Sequence, residues 1–216
     1  MPQTDTPPLT RSQQKRRSIL TAGRELFLSN GYQGTSMDQV AAQAAVSKQT
    51  VYKHFGEKRE LLHTIVTDAI DAVVSAIADR IVALADSTDL EEDLVALGTD
   101  YLLAVLSESV VQLRRLVIAE ANRVPELASL YYEHAPARTL AAFAETFQRL
   151  HDRGLLRVTE SDCAADHFAF LIVGRPIDQA LFGGGPQVLD GMDVDRYVRA
   201  GVRVFLAGYQ PASISR

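Results

Sequence analysis

The chain has one cysteine and no tryptophan in 216 residues, and only 7% of it is aromatic. A lone cysteine, Cys163, excludes an internal disulfide and a zinc site built on several thiolates; it reads as a small core residue. No apolar run approaches the roughly 18 residues of a membrane helix. The longest is FAFLIVG, residues 168–174, so no membrane association is expected. The polar start MPQTDTPPLTRSQQKRR is followed by no apolar segment of the kind a secretion signal needs. The chain therefore reads as cytoplasmic, with residues 1–10 a disordered leader.

Signatures of catalysis are missing as well. There is no zincin histidine pair, no nucleophile-elbow glycine pattern, and no lysine and serine after the glycines of GGGPQVLDG, residues 183–191, which therefore reads as a connector. His54, His63, His134, His151 and His167 show no paired ligand spacing. No enzyme, metal or cofactor is expected. Two classes of binding protein remain: a module that meets another protein through an acidic helical surface, and one that meets nucleic acid.

Charge is unevenly spread. Residues 1–60 hold nine Lys/Arg against five Asp/Glu, whereas the whole chain carries a net charge of −5. A basic start on an acidic body fits a first part that meets a polyanion, although so small an excess also arises by chance.

Apolar residues recur at helical spacing and no alternating strand pattern is evident, so the fold class is all-α. Ile19, Ala22, Gly23, Leu26 and Phe27 make one stripe of a helix over 12–30, which Gly31 ends. Thr35, three residues before Asp38, reads as the cap of a short helix over 36–44. Ser47 opens a third helix that Gly56 closes. Two short helices joined by so tight a turn make a helix-turn-helix. From Lys58 the apolar spacing continues for about seven turns. Ser87 or Thr88 is the expected cap of the next helix. Further helices are predicted over 89–106, 110–122, 125–153, 162–182 and 193–208, with Pro136 positioned to kink or split the third of them.

On the third helix Lys48 and Tyr52 are four apart, as are Gln49 and Lys53, and these share a polar face; Val51 and Phe55 lie on another. This is the pattern of a recognition helix whose first turn meets base edges, though an isolated amphipathic helix can look the same.

GYQGTSMDQVAAQAAVS and TVYKHFGEKRELL, within residues 16–62, resemble the DNA-binding domain of the tetracycline-repressor (TetR) family of transcriptional regulators. The remainder is similar to that family's helical effector-binding and dimerisation domain. VIAEANRVPELASLYYEH, ARTLAAF and RGLLR resemble the subgroup whose C-terminal domain is called AefR-like. The implied division is a helix-turn-helix domain over 11–58 and a ligand-binding and dimerisation domain over 59–216.

The resemblance implies that Thr35 caps the second helix and touches phosphate, that Tyr52, His54 and Lys58 hold the DNA backbone, and that Lys48, Gln49 and Thr50 lie nearest base edges. Ser36, Ser47 and Lys53 belong to the same contact set. Gln49 suits adenine and Lys48 suits guanine in the major groove. Where the family commonly has Gly in the turn, this chain has Ala45. If φ is positive there, alanine costs on the order of 1 kcal/mol.

The resemblance also implies a homodimer through the helices at about 162–182 and 193–208, and hence a palindromic operator on double-stranded DNA. Phe168, Phe170, Leu171, Ile172 and Leu181, with Val198, Val202, Phe205 and Leu206, supply more apolar surface than one helix face needs, though each also suits the core of a single protomer. A small apolar or amphipathic effector is implied among the helices between about 62 and 180. Tyr101, Arg114, Phe143 and Phe147 are candidates to line its site, and aromatics at helical spacing serve equally as core. Arg114 and Arg115 either meet an acidic ligand or are solvated. Repression is the expected mode, since occupying promoter DNA needs no further contact.

Overall fold

A computed structural model describes residues 10–211, apart from the side chain of Ala72. The expected leader over 1–9 lies outside the described residues. Thr10 is part of the fold, because its hydroxyl accepts from the Gln13 amide and caps the first helix.

The described elements are α1 Arg11–Asn30, α2 Met37–Gln43, α3 Lys48–Phe55, α4 Lys58–Leu84, α5 Leu90–Val105 and α6 Glu108–Glu120. They continue with α7 Pro125–Tyr132, α8 Arg138–Asp152, α9 Ser161–Gly183, α10 Gly185–Asp190 and α11 Val194–Tyr209. The chain divides into two compact units, Met1–Asp68 and Ala69–Arg216, and α4 contributes to both.

In the first unit Ile19, Phe27, Val40 and Val51 are fully buried. Each such side chain stabilises by about 1.5–3 kcal/mol. Leu61 and Ile65 of α4 pack on Gly23 of α1. The cap of α2 is Ser36, not Thr35: Ser36 accepts from the Gln39 amide, and the Gln39 side chain accepts from the Ser36 amide.

The end of α2 is a Schellman motif. The Val46 amide donates to Ala41 O at 3.0 Å and the Ala45 amide to Ala42 O at 3.2 Å, which places Ala45 in the left-handed region at φ 53°. It is the one non-glycine residue there among the described residues. The Cβ of Ala45 crowds the following carbonyl in this conformation. Ala45→Gly is therefore expected to raise stability by about 1 kcal/mol, read as a higher denaturant midpoint. An unchanged or lower midpoint would contradict the strain.

Only Gly56 and Glu57 join α3 to α4. Gly56 sits at φ 64°, ψ −70°, and the Glu57 amide donates to Phe55 O at 2.6 Å across it, a tight γ-turn. By length and composition α4 could cross a membrane, with an 18-residue window of mean hydropathy 1.6. Its apolar residues are used within the two units: Leu61 and Ile65 are buried in the first, and Ile77, Ile81 and Leu84 belong to the core of the second.

The rest of that second core comes mainly from α5, α8, α9 and α11, with Val111 of α6. Phe143, Phe147, Phe168 and Phe205 form a cluster whose ring centroids lie 5.1–5.7 Å apart. Stacked, tilted and edge-on pairs of this kind each add about 0.5–1.5 kcal/mol beyond burial.

The helices expected over 89–106, 110–122, 162–182 and 193–208 end within two residues of α5, α6, α9 and α11. The one expected over 125–153 is interrupted by a π-helical turn, Glu133–Ala137, that contains Pro136; proline lacks the amide that a continuous α-helix would use there. Asp89, rather than Ser87 or Thr88, caps α5, while Ser87 donates to Asp93 at 2.6 Å.

Two further expectations change. Cys163 is exposed, its thiol donating to Glu160 at 3.1 Å, and is not core. The glycine-rich stretch over 183–191 holds a short helix, α10, instead of an open connector. A Cβ on Gly185 would sit 1.8 Å from the Leu106 carbonyl oxygen, so only glycine lets α10 start against the end of α5.

Candidate nucleic-acid interface and cavity

Ser47 begins α3 by accepting from the Thr50 amide, and its hydroxyl lies 2.8 Å from that of Thr50. With Val51 and Phe55 turned inward, Lys48, Gln49, Tyr52 and Lys53 are left exposed, and His54 is half-buried at the helix end. Tyr52 is 43% exposed, a large aromatic on an otherwise polar face. Lys48 Nζ lies 5.9 Å from the centre of its ring and pairs with Asp38 of α2 at 2.8 Å. The hydrogen bond to Asp38 raises the Lys48 pKa, so Lys48 is charged at neutral pH.

Two residues of the expected contact set face inward. Thr35 is 2% exposed, its hydroxyl 3.0 Å from Leu26 O and 2.9 Å from Gly31 O. That hydroxyl locks the turn before α2 and is turned away from solvent, whereas Ser36 beside it is exposed. Lys58 is half-buried. Its ammonium donates to Tyr32 O at 2.8 Å and Thr35 O at 2.9 Å, and lies 4.2 Å from the Tyr32 ring centre. It straps the start of α4 to that same turn, leaving one of its three donors.

The other candidate site lies in the second unit. A cavity of about 50 Å³ is lined by apolar side chains of α4, α5 and α6, together with Tyr101, Arg114, Tyr131, Pro136 and Thr139. Of the residues expected at an effector site, Tyr101 and Arg114 line this cavity. Phe143 and Phe147 do not: both are 0% exposed and spent in the aromatic core, with Tyr101 meeting Phe143 edge-on at 5.4 Å. Arg115 points away from the cavity and donates to Leu181 O at 2.8 Å. Arg114 Nε donates to the Tyr131 hydroxyl at 3.2 Å. Burial pushes the Tyr101 phenol up to about 12, so it remains a neutral donor. Tyr131 is a lining residue that the sequence pattern does not single out; its only local signal is an aromatic pair, Tyr131 and Tyr132, shortly before Pro136.

Residues 19–65 match the family described as bacterial regulatory proteins, tetR family, and residues 92–211 match the AefR-like transcriptional repressor, C-terminal domain. The chain belongs to the TetR family. A solved TetR-family regulator from Mesorhizobium loti MAFF303099 is 35% identical, over 94% of this chain and 100% of that one, with a TM-score of 0.85. The flavonoid-responsive regulator FrrA is 26% identical over 92% of this chain and 98% of its own, with a TM-score of 0.73. The transcriptional activator FasR of Mycolicibacterium smegmatis is 35% identical over 83 residues, only 36% of its own length.

As a TetR-family member the chain is a transcriptional regulator of the helix-turn-helix class. Such regulators bind DNA operators and small-molecule effectors and are typically dimers. On α9 and α11 three large apolar residues are exposed: Phe170 is 66%, Phe182 85% and Val204 59% exposed. The others singled out by sequence, Phe168, Ile172, Val198, Val202, Phe205 and Leu206, are buried within the protomer, while Leu171 and Leu181 are half-buried.

The TetR-like DNA-binding unit also has cations outside the expected contact set. Arg11, Lys15, Arg16 and Arg17 are exposed in the first two turns of α1, with no acidic residue in the first turn. Positive charge at a helix N-terminus opposes the helix dipole. Arg16 lies 5.4 Å from the Phe55 ring, which sets this cluster beside the end of α3. The run RSQQKRR is its signal in the sequence.

Proposed function

We propose that the protein works in the cytoplasm as a homodimeric repressor that binds a palindromic operator and is released by a small apolar or amphipathic effector. The observation that carries this is the face of α3, which presents Lys48, Gln49, Tyr52 and Lys53 to solvent opposite a fully committed apolar side. A helix of this kind fits the major groove, where Gln49 can pair with adenine and Lys48 with guanine. Thr50 is assigned to the base edges with them, and Ser36, Ser47, Tyr52, Lys53 and His54 to the DNA backbone. Thr35 and Lys58 shape the turn. The α1 cluster supplies further phosphate contacts.

In this reading residues 11–58 carry DNA binding, and 59–216 carry the effector site and the dimer contact through α9 and α11. Drug-sized ligands occupy about 300–1,000 Å³. The cavity is far smaller, so an effector must push its walls apart, among them residues 69–77 of α4. Because α4 also belongs to the first unit, its displacement moves the DNA-binding residues. The flavonoid response of FrrA supports an aromatic or amphipathic effector.

Selection of bound duplexes from a random pool at near-physiological salt tests the function. An enriched palindrome is expected, with log affinity falling against log salt at a slope of about −0.9 per neutralised phosphate. A folded dimer that enriches nothing would contradict it.

A further inference from the structure

The polar groups of the cavity in the second unit are gathered around one guanidinium. Arg114 is half-buried and has no carboxylate partner among the described residues. Elsewhere in the chain Arg80, Arg123, Arg138, Arg149 and Arg199 are each ion-paired. Arg114 instead gives Nε to the Tyr131 hydroxyl at 3.2 Å and lies 5.8 Å from the centre of that ring. This arrangement leaves both Nη groups, and guanidinium carries four N–H donors on them. Tyr101 lines the same cavity, and its hydroxyl has no hydrogen-bond partner among the described residues. The rest of the lining is hydrocarbon, including Ile70, Val73, Val74, Ile77, Val105 and Leu113.

An unpaired cation beside an apolar cavity is costly unless a ligand completes it. We infer that the effector is a carboxylic acid with an apolar body, its carboxylate held by the Nη groups of Arg114 and the Tyr101 hydroxyl, its body lying along α4, α5 and α6. A planar fork of donors matches a carboxylate bidentately, which an alcohol or an amine cannot reproduce. The neutral Tyr101 phenol adds a donor and no competing charge.

At about 50 Å³ the cavity takes the head and little else, so the body must displace a wall. The π-helical turn Glu133–Ala137 supplies one: Ala135 and Pro136 line the cavity, and this wide turn lacks the proline's hydrogen bond. This inference rests on the reading of the cavity as the effector site.

The test is calorimetric titration of the full chain, without DNA, with decanoate, decanol and decylamine at neutral pH, where decanoate is ionised. Decanoate is expected to bind at least tenfold more tightly than decanol, a difference of about 1.4 kcal/mol, and decylamine not at all. Arg114→Ala should bring decanoate to decanol's affinity while leaving decanol unchanged, and Arg114→Lys should restore part of the gap. A Tyr101→Phe variant should lose a few-fold of the preference.

Equal binding of decanol, tighter binding of decylamine, or no binding of decanoate by the parent protein would overturn the inference. A preference that survives in a folded Arg114→Ala variant would do the same. Operator binding is measured separately on the same preparation. Loss of the head-group preference thus leaves the DNA-binding reading standing, and a protein that prefers decanoate but selects no operator reverses that outcome.

Discussion

Replacing Phe170 and Val204 together by glutamate is expected to leave a folded monomer whose operator affinity has fallen by two to four orders of magnitude, the range typical of losing a second linked site. Both side chains are largely exposed, and they share an open groove with Leu171 and Gly208, so their removal leaves the protomer's own core intact. In a two-fold interface each substitution appears twice, so four carboxylates would have to be buried against one another. Sedimentation should report a monomer at concentrations where the parent dimerises, and thermal unfolding should be little changed. A monomer that still holds its operator tightly, or a dimer that persists, would refute the assignment of α9 and α11 as the dimer contact. Deleting everything after residue 160 is a poorer test. It would remove Phe168 and Phe205 from the aromatic cluster and unfold the second unit before dimerisation could be judged.

Tyr52→Ala and Gln49→Ala are expected to weaken DNA binding in different ways. A hydrogen bond to a charged group contributes about 1.5–3 kcal/mol, so removing the Tyr52 phenol should weaken every duplex by on the order of tenfold or more, without altering which sequence is preferred. It should also leave the salt slope unchanged, because tyrosine neutralises no phosphate. Gln49 is exposed on the outer side of α3, and a bidentate amide–adenine pair discriminates by about 1–3 kcal/mol. Its loss should flatten the preference at one position of each half-site while non-specific binding persists. Mutant selections from the same random pool separate the two. Full operator affinity in Tyr52→Ala would show that the face of α3 had been misassigned. Lys58 is unsuited to this comparison, since its ammonium is tied to Tyr32 O and Thr35 O and its replacement would disturb the fold of the DNA-binding unit itself.

The DNA-binding unit is legible in the sequence because its determinants are local. Ser47 and Gly56 bound α3, and the four-residue spacing of Lys48 with Tyr52 and of Gln49 with Lys53 places its outer face, all within ten residues of chain. The cap of α2 falls one position from its expected place for a related reason. Thr35 and Ser36 both carry a capping hydroxyl, and Asp38 points to Thr35, whereas Gln39, three residues after Ser36, is the reciprocal partner. Where the cause lies far along the chain the sequence is silent. Phe143 and Phe147 share the periodicity of Tyr101, and only the packing of α8 on α9 decides that they fill the core. Gly185 is required by the carbonyl of Leu106, which no local pattern announces. Arg114 and Arg115 are adjacent and of one type, yet the rotation of about 100° between neighbours on a helix sends one to the cavity and the other to Leu181.

The joint at Gly56 and Glu57 has a consequence for how this chain can change over time. Each residue of an α-helix turns it by about 100°, and a γ-turn stores no spare length to absorb a shift. Inserting or deleting one residue there would swing Gln49 and Lys48 relative to α4, even with every residue on the face of α3 unchanged. If the face of α3 reads the operator as proposed, its exposed side chains can be exchanged without disturbing the fold. The spacing between that face and α4 cannot, and substitution rather than insertion is the route by which such a reading head diversifies.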